Sequence, residues 1–403
     1  MAHAMAISEK LPDGAYAINL CQDRYLFIVA YLAVCIRKQI SLLPANQAPK
    51  TIIHLQKAYP GSYTLSDNKT DSGFILSYYL LAKSSAPFPL IDLDRTLSIS
   101  FTSGSTGKPK AIKKTWREFQ VSAQLALQRF KLQQQKITLV STVPMQHMYG
   151  LETSLFWVLF SQMTLHNSRP FYPEDIRHTL QDLSSQSVLI STPRHLKSCS
   201  QTQDKWHALQ FILSSTAPMD VVLAEQIEQK LHAPVFELFG STETLSFASR
   251  RATLSEKWQP YATIQLKQQQ QKFVLQGGHI AKAQVLDDNF DIDSKGFFTL
   301  LGRSADLIKI AGKRASLNDL NNQLTSIKGI EDGVFFCSKN ERLSALVVSQ
   351  LPRQTIIQHL KQAIDEVFLP RAIYSITAIP RNEMGKINKT ELEQLIGTQL
   401  VGK

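Results

Sequence analysis

"SFTSGSTGKPKAI", residues 100–112, places a loop of small and hydroxyl-bearing residues directly after an apolar strand pattern, "LSISF" at 97–101. Thr102, Ser103, Ser105 and Thr106 supply side-chain hydroxyls, Gly104 and Gly107 let the backbone turn sharply, and Lys108 adds a cation. Many small donors with one positive charge suit a polyphosphate. A Walker A loop requires Gly, four residues, then Gly-Lys-Ser/Thr. Here only two residues separate the glycines and Pro109 follows Lys108, so that reading fails. The GxGxxG pattern of dinucleotide folds is absent as well.

Outward from the loop, short apolar runs recur at "ITLVSTV" (137–143), "SVLIST" (187–192), "LQFILSS" (209–215) and "PVFELF" (234–239), with room for helices between them. That alternation predicts layered α/β structure. Thr115 and Glu118 form a capping-box pair, which predicts a helix beginning just beyond the loop, with Trp116, Phe119, Ala123, Leu127 and Phe130 at helical spacing. From about residue 304 the pattern becomes a small α+β unit. Strands are expected near "GVFFC", "LSALVVS" and "AIYSITAI", and a helix over 355–368 with Ile356, Ile357, Leu360, Ile364 and Val367 on one face. The fold class is therefore α/β: a large layered α/β domain over 1–303 and a smaller mobile α+β domain over 304–403. The glutamine run "KQQQQK" lies between "ATIQL" and "KFVLQ" and reads as a hairpin loop.

The 403 residues are 43% hydrophobic, which is ordinary for a globular protein. The longest apolar run, "YLFIVAYLAVCI" at 25–36, is too short to span a bilayer and is flanked by charges, so a buried helix is expected. Nothing in "MAHAMAISEKLPDG" resembles an export signal. Cys21, Cys35, Cys199 and Cys337 form neither CxxC nor a zinc spacing, so free thiols in a reducing cytoplasm are expected. The net charge of +11 is spread along the chain without a basic arm. That argues for an enzyme acting on anionic small molecules rather than for a nucleic-acid binder.

The order of further motifs makes the loop specific. "TSGSTGKPK" is followed by "PMQHMYG" (144–150), "SSTAPMD" (214–220), "FGSTET" (239–244), "LLGRSADLIKIAGKR" (300–314) and "PRNEMGKINKTEL" (380–392). In this order they resemble the adenylate-forming superfamily of acyl- and aryl-CoA synthetases, peptide-synthetase adenylation domains and luciferases. The compact form is similar to the AMP-ligases that accompany bacterial aryl-polyene and fatty-acid-synthase-like gene clusters.

The resemblance implies ATP and Mg2+ and an aromatic or fatty carboxylic acid. The acceptor would be coenzyme A or the phosphopantetheine of a separate acyl carrier protein, since no Asp-Ser-Leu attachment signature occurs in this chain. By resemblance, Thr102 to Lys108 hold the β- and γ-phosphates. Thr242 meets the α-phosphate, Glu243 binds the metal, and Phe239 and Gly240 border the adenine, with Phe239 where the family commonly has tyrosine. Asp288 and Arg303 contact the ribose. Lys386 bridges the substrate carboxylate and the α-phosphate. Gly312 lines the thiol path. His147, counted with the catalytic residues, packs near the substrate carboxylate and gates the acid pocket, which Tyr149, Gly150 and Ser215 border. One departure concerns the pivot between domains, where the family has Asp or Lys and this chain has Ala305. Two other readings stay open: a stand-alone amino-acid adenylation protein, for which no pocket aspartate can be placed, and a catalytically silent nucleotide-binding regulator.

Overall fold

A computed structural model describes residues 1–69, 73–78, 87, 89–102, 110–183, 186–203, 205–303, 307–310, 313–337, 343–381, 387 and 389–401. Two sheets dominate. The first contains β1 (Tyr16–Asn19), β2 (Ile40–Leu43), β3 (Tyr63–Ser66), β4 (Phe74–Ile75), β5 (Thr96–Thr102) and β6 (Lys110–Thr115), in the order β4-β3-β1-β2-β5-β6. All of its pairings are parallel except β5–β6. The second contains β7 (Thr138–Ser141), β8 (Thr164–Leu165), β9 (Ser187–Ser191), β10 (Phe211–Ser214), β11 (Val235–Ser241), β12 (Leu245–Arg250) and β13 (Gln259–Pro260), in the order β13-β12-β11-β10-β9-β7-β8. Here β8, β7, β9, β10 and β11 run parallel, while β12 and β13 are antiparallel additions.

The apolar run at 25–36 forms the helix Arg24–Ile36, capped by Asp23, whose side chain accepts from the Leu26 amide. Its Leu26, Phe27, Val29, Tyr31, Leu32 and Val34 are buried, each large aliphatic side chain contributing about 1.5–3 kcal/mol. The expected capping box is present at the start of the helix Trp116–Arg129, with Thr115 and Glu118 bonding reciprocally. Phe119 of that helix stacks on Phe156 with ring centroids 3.9 Å apart. One core cluster runs from Ile7 to Phe298 and joins both sheets.

The helix starts at the expected cap, and one strand stands between it and the hydroxyl-rich segment. Strand β6 runs directly into the helix and pairs antiparallel with β5, from Thr96 opposite Thr115 to Thr102 opposite Lys110. The reason lies in "KAIKKT": Ile112 and Lys114 point inward while Ala111 and Lys113 stay exposed, the period of two that a strand requires. The glutamine run behaves as expected: β14 (Gln265–Gln269) and β15 (Lys272–Gly277) pair around Gln270, whose φ is +56°. A third strand, β16 (Ile280–Leu286), completes this sheet. The hairpin of β17 (Asp288–Ile292) and β18 (Phe298–Arg303) follows.

Toward the C-terminus, β19 (Leu307–Ile310) pairs with β20 (Lys313–Ser316). Strands β21 (Ile330–Cys337), β22 (Leu343–Ser349) and β23 (Ile373–Ser375) form a three-stranded sheet whose apolar clusters are separate from those of the two large sheets. The helix expected over 355–368 spans Arg353–Ala363 only. Ile364 turns to an extended conformation, and Asp365 caps a short 3-10 turn by accepting from the Val367 amide. Ile364 and Val367 nevertheless pack on the same cluster as Ile356 and Leu360, which is why their spacing imitated a longer helix. Lys197, on the helix Pro193–Ser200, donates to the carbonyls of Thr325, Ile330 and Glu331 at 3.4, 3.4 and 3.3 Å, joining the second sheet's layer to this C-terminal part. Among the described residues no helix is long and apolar enough to cross a membrane.

Candidate active site

The C-terminal ends of parallel strands β7, β9, β10 and β11 lie side by side, the position at which open α/β sheets bind ligands. "FGSTET" occupies the end of β11 and the turn into β12. Its register shifts at Phe239/Gly240, and a Cβ on Gly240 would lie 2.0 Å from the Leu245 carbonyl oxygen, so the turn closes only around glycine. Ser241 and Thr244 then lock it. The Ser241 amide donates to Thr244 Oγ1 at 3.0 Å, and the Thr244 amide donates to Ser241 Oγ at 3.2 Å. Thr242 and Glu243 form the half-buried tip between them.

Strand β6 of the other sheet lies against this tip. Lys110 Nζ is 3.5 Å from Glu243 Oε1, and Lys114 Nζ donates to the Glu243 carbonyl at 2.6 Å. Lys110 is also the register partner of Thr102. The two strand ends that carry the hydroxyl-rich loop therefore stand beside the Thr242–Glu243 turn. Motifs 133 residues apart are brought together here. Ser103, Gly104, Ser105, Thr106, Gly107 and Lys108 lie outside the described residues, as do Gly312, Lys386 and Ala305.

The structure also sets Asp288 directly opposite Arg303 as Cα partners across β17 and β18. Residues 15 apart in sequence are thus placed at one end of one hairpin. Phe239 is half-buried among Phe247, Trp258, Phe290 and Phe298, with ring centroids at 5.1–5.9 Å, and so ties this hairpin to β11. Two residues before it, the carboxylate of Glu237, 2% exposed, accepts from Arg250 at 2.7 Å and from the Met219 amide at 2.8 Å. Burial raises the Glu237 carboxyl above its usual range, against the pull of Arg250.

The expected acid-pocket residues surround the ends of β7 and β10. His147 begins the short helix Met148–Leu151. Tyr149 donates its hydroxyl to the Leu213 carbonyl at 3.1 Å, and burial lifts its phenol well above its ordinary range. Ser215 Oγ donates to the Leu238 carbonyl at 3.0 Å. Gly150 is buried, and a Cβ there would meet the Pro144 carbonyl oxygen at 2.1 Å, so it serves close packing of the His147 segment. Next to Ser215, Thr216 has φ +85°, a left-handed conformation that is costly for a β-branched residue and that recurs at functional sites.

Several supporting residues escaped the sequence reading. Glu152, 2% exposed, sits in a π-helical segment, Glu152–Phe156, and accepts from Ser122 Oγ at 2.6 Å, Ser246 Oγ at 2.6 Å and the Ser246 amide at 3.0 Å. Burial raises its carboxyl while those donors restrain the shift. One glutamate inside "GLETSLFWVLF" was the available signal. The buried His279 donates Nε2–H to the Thr244 carbonyl at 2.7 Å, which fixes its tautomer because a carbonyl only accepts. Burial lowers its pKa to about 4.

A pH effect follows. Between about 4 and 6.5 the unfolded chain takes up a proton at residue 279 that the folded chain refuses, so this residue's contribution to stability falls as pH falls through that window. Urea unfolding of His279→Gln, which keeps a donor near the Nε2 position, is expected to show a flatter decline than the parent from pH 6.5 to 4. Parallel curves would refute the assignment.

A sequence profile described as "AMP-binding enzyme" matches residues 10–275. The 2-succinylbenzoate–CoA ligase of Staphylococcus epidermidis is 24% identical over 338 residues, covering 75% of this chain and 70% of that protein. Among solved structures, ATP-bound MatB from Rhodopseudomonas palustris superposes with a TM-score of 0.83 at 16% identity, covering 98% of this chain and 92% of that one. The o-succinylbenzoate CoA synthetase MenE from Bacillus subtilis, in complex with its acyl-adenylate intermediate, gives 0.81 at 20% identity, covering 97% and 91%.

Proposed function

The chain belongs to the AMP-binding enzyme family, and from that membership we propose that it is an ATP-dependent ligase that joins an aryl or acyl carboxylate to a thiol through an acyl-adenylate. The observation that carries the reading is the approach of Lys110, at the root of the hydroxyl-rich hairpin, to Glu243 in the "FGSTET" turn. It brings the strand that follows the hydroxyl-rich motif up to a carboxylate carried by the other large sheet.

A carboxylate is a poor electrophile because oxide would have to leave it. In the first step its oxygen attacks the α-phosphorus of ATP, the bond to the β-phosphate oxygen breaks, and pyrophosphate departs. In the second a thiolate attacks the acyl carbon and AMP leaves with the bonding electrons. The protein's task is to align two anions and spread their charge. Thr102 to Lys108 hold the β- and γ-phosphates, Thr242 the α-phosphate, and Asp288 with Arg303 the ribose. Phe239 and Gly240 border the adenine. Lys386 bridges the two reacting anions, and Gly312 lines the thiol path. His147, Tyr149 and Ser215 bound the acid.

Among the described residues no group of three or more His, Cys, Asp or Glu could cage a metal. A single carboxylate, Glu243, with phosphate oxygens from the nucleotide fits magnesium, which prefers hard oxygen donors and keeps several waters. When bound, the ion supplies charge neutralisation on the phosphates. Residues 1–303 act as the nucleotide- and acid-binding domain, and 304–403 as a small domain that brings Lys386 in for the first step and withdraws it for the second.

Carboxylate-dependent ATP–pyrophosphate exchange without coenzyme A, run over hydroxybenzoic, cinnamic, fatty and amino acids, tests this. Exchange confined to the aryl or acyl acids is expected; coenzyme A and a phosphopantetheinyl carrier protein are then compared as acceptors. Exchange with amino acids alone, or with none while ATP still binds, would overturn the reading.

A further inference from the structure

Lys114 has a place that neither the loop motif nor the turn motif accounts for. It is 3% exposed, and an ammonium is carried into a protein interior only when it is paired and hydrogen-bonded. Two partners are present. Glu118 Oε1 accepts at 2.8 Å, and the Glu243 backbone carbonyl accepts at 2.6 Å. Glu118 is itself fixed as the capping-box carboxylate, its Oε2 accepting the Thr115 amide at 2.9 Å. The helix start, strand β6 and the β11–β12 turn are thus joined through one nitrogen.

We propose that Lys114 is a positioning residue for a divalent cation: it anchors the peptide of Glu243 by its carbonyl and so presents the Glu243 carboxylate toward metal and phosphate. This rests on the reading of Glu243 as the metal ligand. The chemistry of the contact separates two tasks. Lys114 grips the backbone and is neutralised by Glu118, so it does not consume the negative charge of the Glu243 side chain. Lys110, two pleats earlier on the same face of β6, is the cation near that carboxylate, and at 3.5 Å with its own side chain 66% exposed it is held loosely. A buried tie to the carbonyl and an exposed, exchangeable contact to the carboxylate divide rigidity from ligand access.

The test measures Mn2+ binding through its EPR signal, with ATP present, for the parent, Lys114→Met, Lys114→Arg and Glu243→Gln. Lys114→Met is expected to weaken Mn2+ binding about tenfold, to raise the Mg2+ needed for half-maximal exchange in parallel, and to change the KM for the acid less than twofold. Lys114→Arg should restore at least part of the affinity. Should Lys114→Met not fold, Lys114→Gln serves, because its amide is too short to reach the carbonyl and the same weakening is expected. Folded Lys114→Met with parental Mn2+ affinity, while Glu243→Gln binds weakly, overturns the proposal alone. Parental affinity in Glu243→Gln overturns the metal reading and the proposal with it. Failure of both Lys114→Met and Lys114→Gln to fold assigns Lys114 to folding and overturns it too.

Discussion

Lys386→Ala is expected to lose ATP–pyrophosphate exchange by about 10²–10³-fold, the range seen when one group that stabilises developing charge is removed. The first half-reaction brings two anions together, and the lysine is assigned to lie between them. The second half-reaction attacks an acyl carbon already bearing AMP, and in the proposed cycle the small domain has by then withdrawn the lysine. Thioester formation from supplied acyl-adenylate should therefore fall less than tenfold. Parallel measurement of the two half-reactions decides the matter. Equal losses in both would show that Lys386 acts on folding or on nucleotide binding in general, and unchanged exchange would remove it from the reaction.

Gly240→Ala should be nearly as damaging, for a steric reason visible in the turn itself. The added methyl would meet the Leu245 carbonyl oxygen at 2.0 Å and Ser246 Cα at 2.7 Å. These are backbone atoms of the paired strand, so no side chain can swing aside. The pairing of β11 with β12 must open at the point where Thr242 and Glu243 are held. Overpacking of this kind costs about 1–3 kcal/mol, and displacing a catalytic group by about 1 Å can cost 10²-fold in rate. Urea unfolding combined with exchange kinetics measures both. Stability within 0.5 kcal/mol and exchange within twofold of the parent would show that the turn tolerates a side chain.

The strands at 96–102, 187–191, 211–214 and 235–241 were legible because each is an apolar run of strand length bounded by polar residues. The helix start at Thr115 was legible because a capping box is a local chemical pattern. Strand β6 was not, because three lysines in six residues look like a solvated connector until a partner strand supplies the alternation. Nor does the chain alone single out Lys114, whose partner Glu243 is brought to it only by tertiary structure. The helix end at Ala363 was hidden by apolar residues that keep helical spacing after the helix has stopped. Within the site, motif residues could be named from the chain alone, whereas His279 and Lys114, which hold the Thr242–Glu243 turn still, carry no local signature. Their roles come from carbonyls contributed by distant segments.

The hairpin of β5 and β6 belongs to one sheet and the turn it touches belongs to another, with 133 residues between Lys110 and Glu243. Viewed as a folding problem, the site is a contact of high sequence separation, the kind whose loop-closure entropy is met late. With the nucleotide site proposed here, a molecule in which only one sheet has consolidated would hold half of that site. Nucleotide affinity would then report completed assembly of the two sheets, and ATP would select the finished fold over any partly folded form that retains native secondary structure.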